Sequence, residues 1–367
     1  MKTATLLTAL FTDSALGRNG LLWASLLLGV AAFCLAPVHP AALLLLVPAL
    51  AVFALCLIDL IQTRHSLRRN FPASARFRWF FEWLRPFLRS YIVEGDLEGR
   101  PFSLDTRALV YARATGATDA HPFGTELDVY DGEYEWLAHS MVPNTHADAA
   151  MRVHVGSSQC TQPYSASRLN ISAMSFGAVS ANAIEALNLG AKMGGFYHDT
   201  GEGGLSPYHL RHGGDIVWEL GSGYFGCRTA DGQFDPERFR DRASDERVKT
   251  TAIKLPPGAK TGHGGGLPGP MVCEEIPHIR GFPARLCCLS PAAPRRLPTP
   301  RALLEFAARM RELSGGKPVG IKLCVGYPHE LFAVTKAMLA SGILLDSIVI
   351  DGAEGGTGAA PQELSDS

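Results

Sequence analysis

Hydrophobic residues follow two different patterns along this chain. Near the amino terminus they run almost unbroken. Residues 21–36 and 41–61 form apolar stretches of about 16 and about 21 residues, split by Pro37-Val38-His39-Pro40, against the ~20 a helix needs to cross a bilayer core. The pattern predicts a transmembrane helical hairpin, its shorter arm tilted or extended through Leu16 to Gly20. A cleavable signal is the weaker reading, because no small-x-small site is evident and a longer apolar run follows directly. Lys2 and Arg18 precede the pair, and Arg64, Arg68 and Arg69 follow it, which puts both ends inside and the turn outside. Residues 76–89 then alternate aromatics with arginines. That fits a segment lying at the membrane surface, and equally an amphipathic helix docked on the domain that follows.

Residues 90–165 are irregular, with turn signals at Gly95, Gly99-Arg100-Pro101 and Asp131-Gly132, and read as a lead-in. Thereafter the pattern alternates between periods. Strands are expected at residues 169–173, 196–198, 251–255, 286–289, 319–325 and 347–350. Helices are expected after the Ser180 cap, ending at Gly194-Gly195, and over residues 301–313 and 329–340. Repeated strand–helix–strand units argue for an α/β fold with a parallel sheet, here a (β/α)8 TIM-barrel type that is incomplete at about six of eight strands. The expected division is 1–20 cytoplasmic amino terminus, 21–61 hairpin, 62–165 juxtamembrane lead-in and 166–367 barrel.

Composition changes this picture little. A hydrophobic content of 47% supports a sizeable core, and a formal net charge of −1 gives no argument for nucleic acid as a partner. The eight cysteines show no C-x-x-C pair and no disulfide framework, so the soluble part reads as cytoplasmic, on the inner face of the membrane. The 38 glycines matter more, because many fall in three loops at expected strand ends. These are Thr200-Gly201-Glu202-Gly203-Gly204, Gly262-His263-Gly264-Gly265-Gly266, and the run from Asp351 to Pro361. Such loops suit a flat anionic cofactor held largely by backbone.

Few side chains carry candidate chemistry. Lys322 lies mid-strand and needs an anionic partner; Asp351 and Glu354 are the candidates. It suits the pyrimidine end of a flavin, where it would favour the charge added on reduction, or a structural ion pair. Glu202 would be repelled in a phosphate cradle, so it orders its loop or meets a cation. Lys260 and His263 are the only chemical groups in the long loop 259–269. Neither a mononucleotide P-loop nor a dinucleotide fingerprint occurs in register, and no Ser-His-Asp or Cys-His arrangement favours hydrolysis.

Six blocks in order carry a resemblance. They are residues 172–178 (Ser-Ala-Met-Ser-Phe-Gly-Ala), 200–204, 221–226 (Gly-Ser-Gly-Tyr-Phe-Gly), 258–269, Ile321-Lys322-Leu323 and 351–361. Residues 168–361 resemble the central and FMN-binding region of glutamate synthase. Residues 90–165, with His121-Pro122-Phe123-Gly124-Thr125 and Tyr134-Glu135-Trp136, resemble the membrane-linked branch that lacks the glutaminase domain. The resemblance implies a barrel holding FMN, fed with electrons through an iron–sulfur cluster, that reduces 2-iminoglutarate to glutamate. It implies an oxidoreductase of the class acting on CH–NH2 donors. It implies that Ala173, Met174, Ser175, Thr200, Lys322, Gly355, Gly356 and Thr357 bind the cofactor. Lys260, His263, Gly265 and Gly266 would face the 2-oxo acid, with Lys322, Lys260 and Glu202 as the catalytic set.

Three departures shape the expectation. Glutamate synthases proper carry glutamine where this chain has Gly266 and glutamate where it has His263, so an N-substituted glutamate made from a larger amine is an alternative product. Residues 281–300 depart from the family, as a compensated frameshift would produce. Relatives continue past the position of Ser367, so a carboxyl-terminal truncation is expected. It would leave the last two strands, the main phosphate loops and the cluster cysteines outside the chain, with FMN bound poorly or not at all. An inactive pseudogene product or membrane scaffold is the non-enzymatic alternative. The electron donor is not legible.

Overall fold

The computed structural model describes residues 15–117, 123–142, 151–255, 266–267, 272, 274–281, 288–291, 297–352 and 362–365. The chain divides into two compact units, Met1–Ala138 and His139–Ser367.

In the first unit, helix α1 (Gly20–Leu35) packs on helix α2 (Leu43–Ile61) across a short turn at Pro40–Ala42. Small residues make this contact. Ser25, Gly29 and Ala32 are buried on α1, Ala49 and Cys56 on α2, and Gly29 faces Ala49 and Leu46. Large apolar side chains, among them Leu27, Phe33, Leu44 and Val47, point outward. The helical span Pro40–Ile61 is long and apolar enough to cross a membrane, with a mean hydropathy of 2.9. At its end, buried Asp59 accepts two hydrogen bonds from Arg76, at 3.0 and 2.7 Å, and one from the Ala73 amide at 3.0 Å. Arg76 opens helix α3 (Arg76–Leu88), whose Phe77, Phe80, Phe81 and Phe87 are exposed. Helix α4 (Leu104–Thr115) follows, capped by Ser103.

The second unit begins with an antiparallel hairpin, β1 (Arg152–Val155) and β2 (Tyr164–Ser167). Helix α5 (Ala181–Gly194) is capped by Ser180, whose hydroxyl accepts the Ala183 amide, and stops at left-handed Gly195. Strands β3 (Tyr197–Asp199) and β4 (Asp215–Leu220), helix α6 (Pro236–Ala243) and strand β5 (Val248–Lys254) come next. A two-residue ribbon pairs β6 (Gly266–Leu267) with β7 (Cys288–Leu289), and helix α7 (Glu275–Arg280) lies between them in sequence. Helix α8 (Pro300–Leu313), strand β8 (Val319–Leu323), helix α9 (Pro328–Ser341) and strand β9 (Ser347–Ile350) complete the order.

Strands β3, β4, β5, β8 and β9 are all parallel and neighbour each other in that sequence. They form a curled half-barrel of the TIM type, and Ile171 bridges His198 at its first edge. Alternation along the strands separates two environments. Ile216, Trp218 and Leu220 of β4, Ile253 of β5, and Val319, Ile321 and Leu323 of β8 face outward. They pack against Phe239 and Ala243 of α6 and Leu303, Leu304, Ala307 and Met310 of α8. Each large side chain so buried contributes about 1.5–3 kcal/mol. The opposite, inward parity carries Asp199, Glu219, Lys254 and Lys322, as the register pairs Asp199 with Val217, Glu219 with Ala252 and Lys254 with Lys322.

Two expectations about strands need correction. Of the run at residues 286–289, the described part, Cys288–Leu289, is not a barrel strand; it pairs antiparallel with Gly266–Leu267 outside the parallel sheet. The true neighbour of β3 and β5 is β4, Asp-Ile-Val-Trp-Glu-Leu, whose acidic residues obscure its strand pattern. Residues 169–173 contribute a single bridge rather than a strand.

Candidate active site

The carboxyl ends of consecutive strands bring six charged groups onto the inward face. Lys322 Nζ lies 3.5 Å from Glu219 Oε2 and 3.5 Å from Asp351 Oδ1. Lys254 Nζ lies 3.5 Å from Glu202 Oε1 and 3.9 Å from Glu219 Oε1. Glu219 is fully buried between the two lysines, and neither of its oxygens has a hydrogen-bond partner among the described residues. Asp199, also buried, accepts the Gly201 amide at 2.8 Å.

Four carboxylates thus face two ammonium groups among the described residues. Burial pushes the Glu219 carboxyl above the usual glutamate range, against the pull of Lys254 and Lys322. Burial and the adjacent Glu219 push Asp199 well above its usual range. Burial also works against the Lys322 ammonium, but the carboxylates of Glu219, Asp199 and Asp351 outweigh it and hold Lys322 above the ordinary lysine range. Lys322 is therefore a fixed cation, while the two innermost acids lean towards their neutral forms.

Two loops wall the cluster on the β3 side. In residues 172–178, the Met174 amide donates to Asp199 O at 3.0 Å, and Ser175 Oγ accepts the Gly203 amide at 3.2 Å. Gly201 has φ +63°, and a Cβ there would lie 2.4 Å from Ser175 Oγ, so only glycine lets the loops interlock. Gly221 is constrained likewise, since a Cβ would meet Glu202 Oε2 at 2.6 Å. Buried Thr200 donates its hydroxyl to Gly201 O and accepts the Glu219 amide, so its side chain braces β3 against β4. Arg280 Nη2 donates to Phe176 O at 3.1 Å, tying α7 to the same wall.

Of the residues singled out from sequence, Ala173, Met174, Ser175, Thr200, Glu202 and Lys322 lie in this region, and Glu202 meets a cation, Lys254. Gly266 starts β6 and is half-buried. Lys260, His263, Gly265, Gly355, Gly356 and Thr357 lie outside the described residues, as does Glu354. Sequence reasoning missed Asp199, Glu219 and Lys254. A signal existed, because each is a charge at or near the last position of a strand with otherwise apolar or β-branched neighbours.

The family described as "Conserved region in glutamate synthase" matches residues 138–367. The chain belongs to the glutamate synthase family. Within that family it is 33% identical over 346 residues to Glutamate synthase large subunit-like protein YerD of Bacillus subtilis, covering 83% of this chain and 65% of the relative. It is 35% identical over 196 residues to Archaeal glutamate synthase (NADPH) of Archaeoglobus fulgidus, and 36% identical over 196 residues to Archaeal-type glutamate synthase (NADPH) of Thermotoga neapolitana. Each of these two alignments covers 53% of this chain and 35% of the relative. This glutamate synthase family chain thus spans 65% of the first relative's length and about a third of the other two.

Proposed function

We propose that this protein is an FMN-dependent oxidoreductase that converts 2-oxoglutarate and ammonia to glutamate at a membrane surface. The observation that carries the reading is the buried Lys322–Glu219–Lys254 array at the strand ends, the face where barrels of this type build their sites. FMN suits these residues: a fixed cation and unsatisfied buried carboxylate oxygens lie beside walls poor in side chains. The fixed cation complements an electron-accepting heteroaromatic ring whose reduction adds negative charge. Ala173, Met174 and Ser175 would lie along the ring, and Lys322 at its pyrimidine edge. Gly355, Gly356 and Thr357 would complete the cofactor site, and Lys260, His263, Gly265 and Gly266 the oxo-acid site.

When bound, FMN would supply the hydride that the imine carbon accepts. The chain's own residues do the rest. Lys322 keeps its positive charge through the turnover, because the acidic surroundings made by Glu219, Asp199 and Asp351 favour its protonated form. Lys254, paired with Glu202 and Glu219, offers a second cation near the substrate's carboxylates. Glu219 and Asp199, inclined to carry protons, can accompany an arriving anion with a neutralising proton.

The membrane reading rests on α1 and α2. Their small residues face each other and their large apolar side chains face outward, the reverse of a soluble helical pair. They would form a two-helix anchor, with the second unit on the cytoplasmic side and α3 at the lipid surface.

The test is direct. Purified protein is supplied with FMN reduced by dithionite, 2-oxoglutarate and ammonium, and glutamate is measured. Formation that depends on Lys322 supports the reading. Equal formation by wild type and Lys322→Met, or none with any 2-oxo acid, contradicts it.

A further inference from the structure

The wall formed by residues 172–178 is held by a histidine that has no place in the charge array. His209 sits in the short turn Pro207–Leu210 and is fully buried. Its Nε2 lies 3.0 Å from the carbonyl oxygen of Met174, and its Nδ1 lies 2.7 Å from Ser206 Oγ and 3.3 Å from the Ser206 amide nitrogen. The Ser206 amide can only donate, so Nδ1 must be the unprotonated nitrogen. The ring proton therefore resides on Nε2 and is donated to Met174 O. Ser206 Oγ completes the pattern by accepting the His209 amide at 3.4 Å and turning its own proton to Nδ1. Nδ1 thus accepts from both the Ser206 amide and the Ser206 hydroxyl, which fixes a single tautomer.

We infer that His209 is a positioning residue: through Met174 it holds the 172–178 wall in the shape that receives the ligand. Met174 is then gripped through both peptide units that flank it, its amide donating to Asp199 O on β3 and its carbonyl accepting from His209. The next residue, Ser175, is locked against Gly201 and Gly203. Without the imidazole, the Met174 carbonyl loses its partner and the wall can turn about the Asp199 contact. Burial keeps the ring neutral, at a pKa of about 4, so the donated proton is present throughout the neutral range. The inference rests on the proposed flavin site for its functional consequence, though not for the contact itself.

Two readouts on the full-length protein test it, in wild type, His209→Ala, His209→Gln and Ser206→Ala. Glutamine can present an amide proton near the Nε2 position, whereas alanine cannot. Hydrogen exchange of the amides at residues 174–178 is expected to quicken at least tenfold in His209→Ala and about threefold in Ser206→Ala. It should return to within threefold of wild type in His209→Gln, with β4 and β5 unchanged throughout. FMN titration should show affinity falling in the same order as the exchange rises. Unchanged exchange at 174–178 in His209→Ala, or an equal quickening of β4 and β5, overturns the inference. Equal FMN affinity in variants whose exchange differs overturns the ligand-positioning role. If wild type binds no FMN while the exchange pattern holds, the flavin reading fails and the His209–Met174 restraint stands.

Discussion

Replacing Lys322 with methionine would leave Glu219 and Asp351 without the ammonium that lies 3.5 Å from each. Breaking a buried pair from one side costs about 3 kcal/mol or more. Glu219→Gln should cost about 1 kcal/mol or less, because burial already favours the uncharged form that glutamine imitates. Denaturant unfolding of both variants checks this, and equal costs would show Glu219 to be fully ionised. His198 and His209 make a second prediction. Their rings lie 5.2 Å apart, both fully buried, and burial depresses both to about 4, with His209 adding to the effect on His198. An unfolded histidine titrates near 6.5, so the native state binds fewer protons between these values. Stability is therefore whole above about pH 6.5 and falls towards pH 4, by roughly 3 kcal/mol per histidine. His198, with no hydrogen-bond partner among the described residues, can be tested as His198→Leu. Unfolding followed from pH 7.5 to 4.5 should show a smaller acid loss than wild type, by about 1.4 kcal/mol per pH unit below pH 6.5, with no loss at neutral pH.

At the level of elements, the interlocking of the two loops predicts a contrast between glycines of like conformation. Gly201 and Gly116 have φ of +63° and +65°, but a Cβ at Gly201 strikes Ser175, whereas one at Gly116 meets nothing within 4 Å. Gly116→Ala should cost about 1 kcal/mol, from backbone strain alone. Gly201→Ala should cost about 3 kcal/mol, since it adds a clash to the strain. Thermal unfolding distinguishes the two; similar costs would mean that the loops do not depend on close contact. The same elements explain what the sequence disclosed. Helices α8 and α9 and strands β8 and β9 were legible because hydrophobic period and glycine stops agree there. Strand β4 was not, because Asp215 at its start, paired with Tyr164, and Glu219, which belongs to the tertiary site, break the apolar run. The 286–289 run misled for the opposite reason: its apolar residues suggest a core strand, yet its described part, Cys288–Leu289, pairs in a short ribbon. Lys322 stood out as a lone mid-strand charge, and its pairing with Asp351 was legible, but its other partner, Glu219, came from β4, about a hundred residues earlier in the chain.

At the scale of the whole molecule, the family assignment covers residues 138–367, and the apolar pair lies before it. If α1 and α2 anchor the protein, it should stay with membranes after alkaline carbonate washing and be released only by detergent. Release by carbonate would reduce α3 and the hairpin to peripheral or soluble elements. The central claim, that the strand-end array is a flavin site, is most directly tested by titrating the purified protein with FMN and following the quenching of flavin fluorescence. The account predicts saturable binding that Lys322→Met weakens at least tenfold, as expected when a fixed cation beside the ring is lost. Absence of saturation, or equal binding by wild type and Lys322→Met, would contradict it.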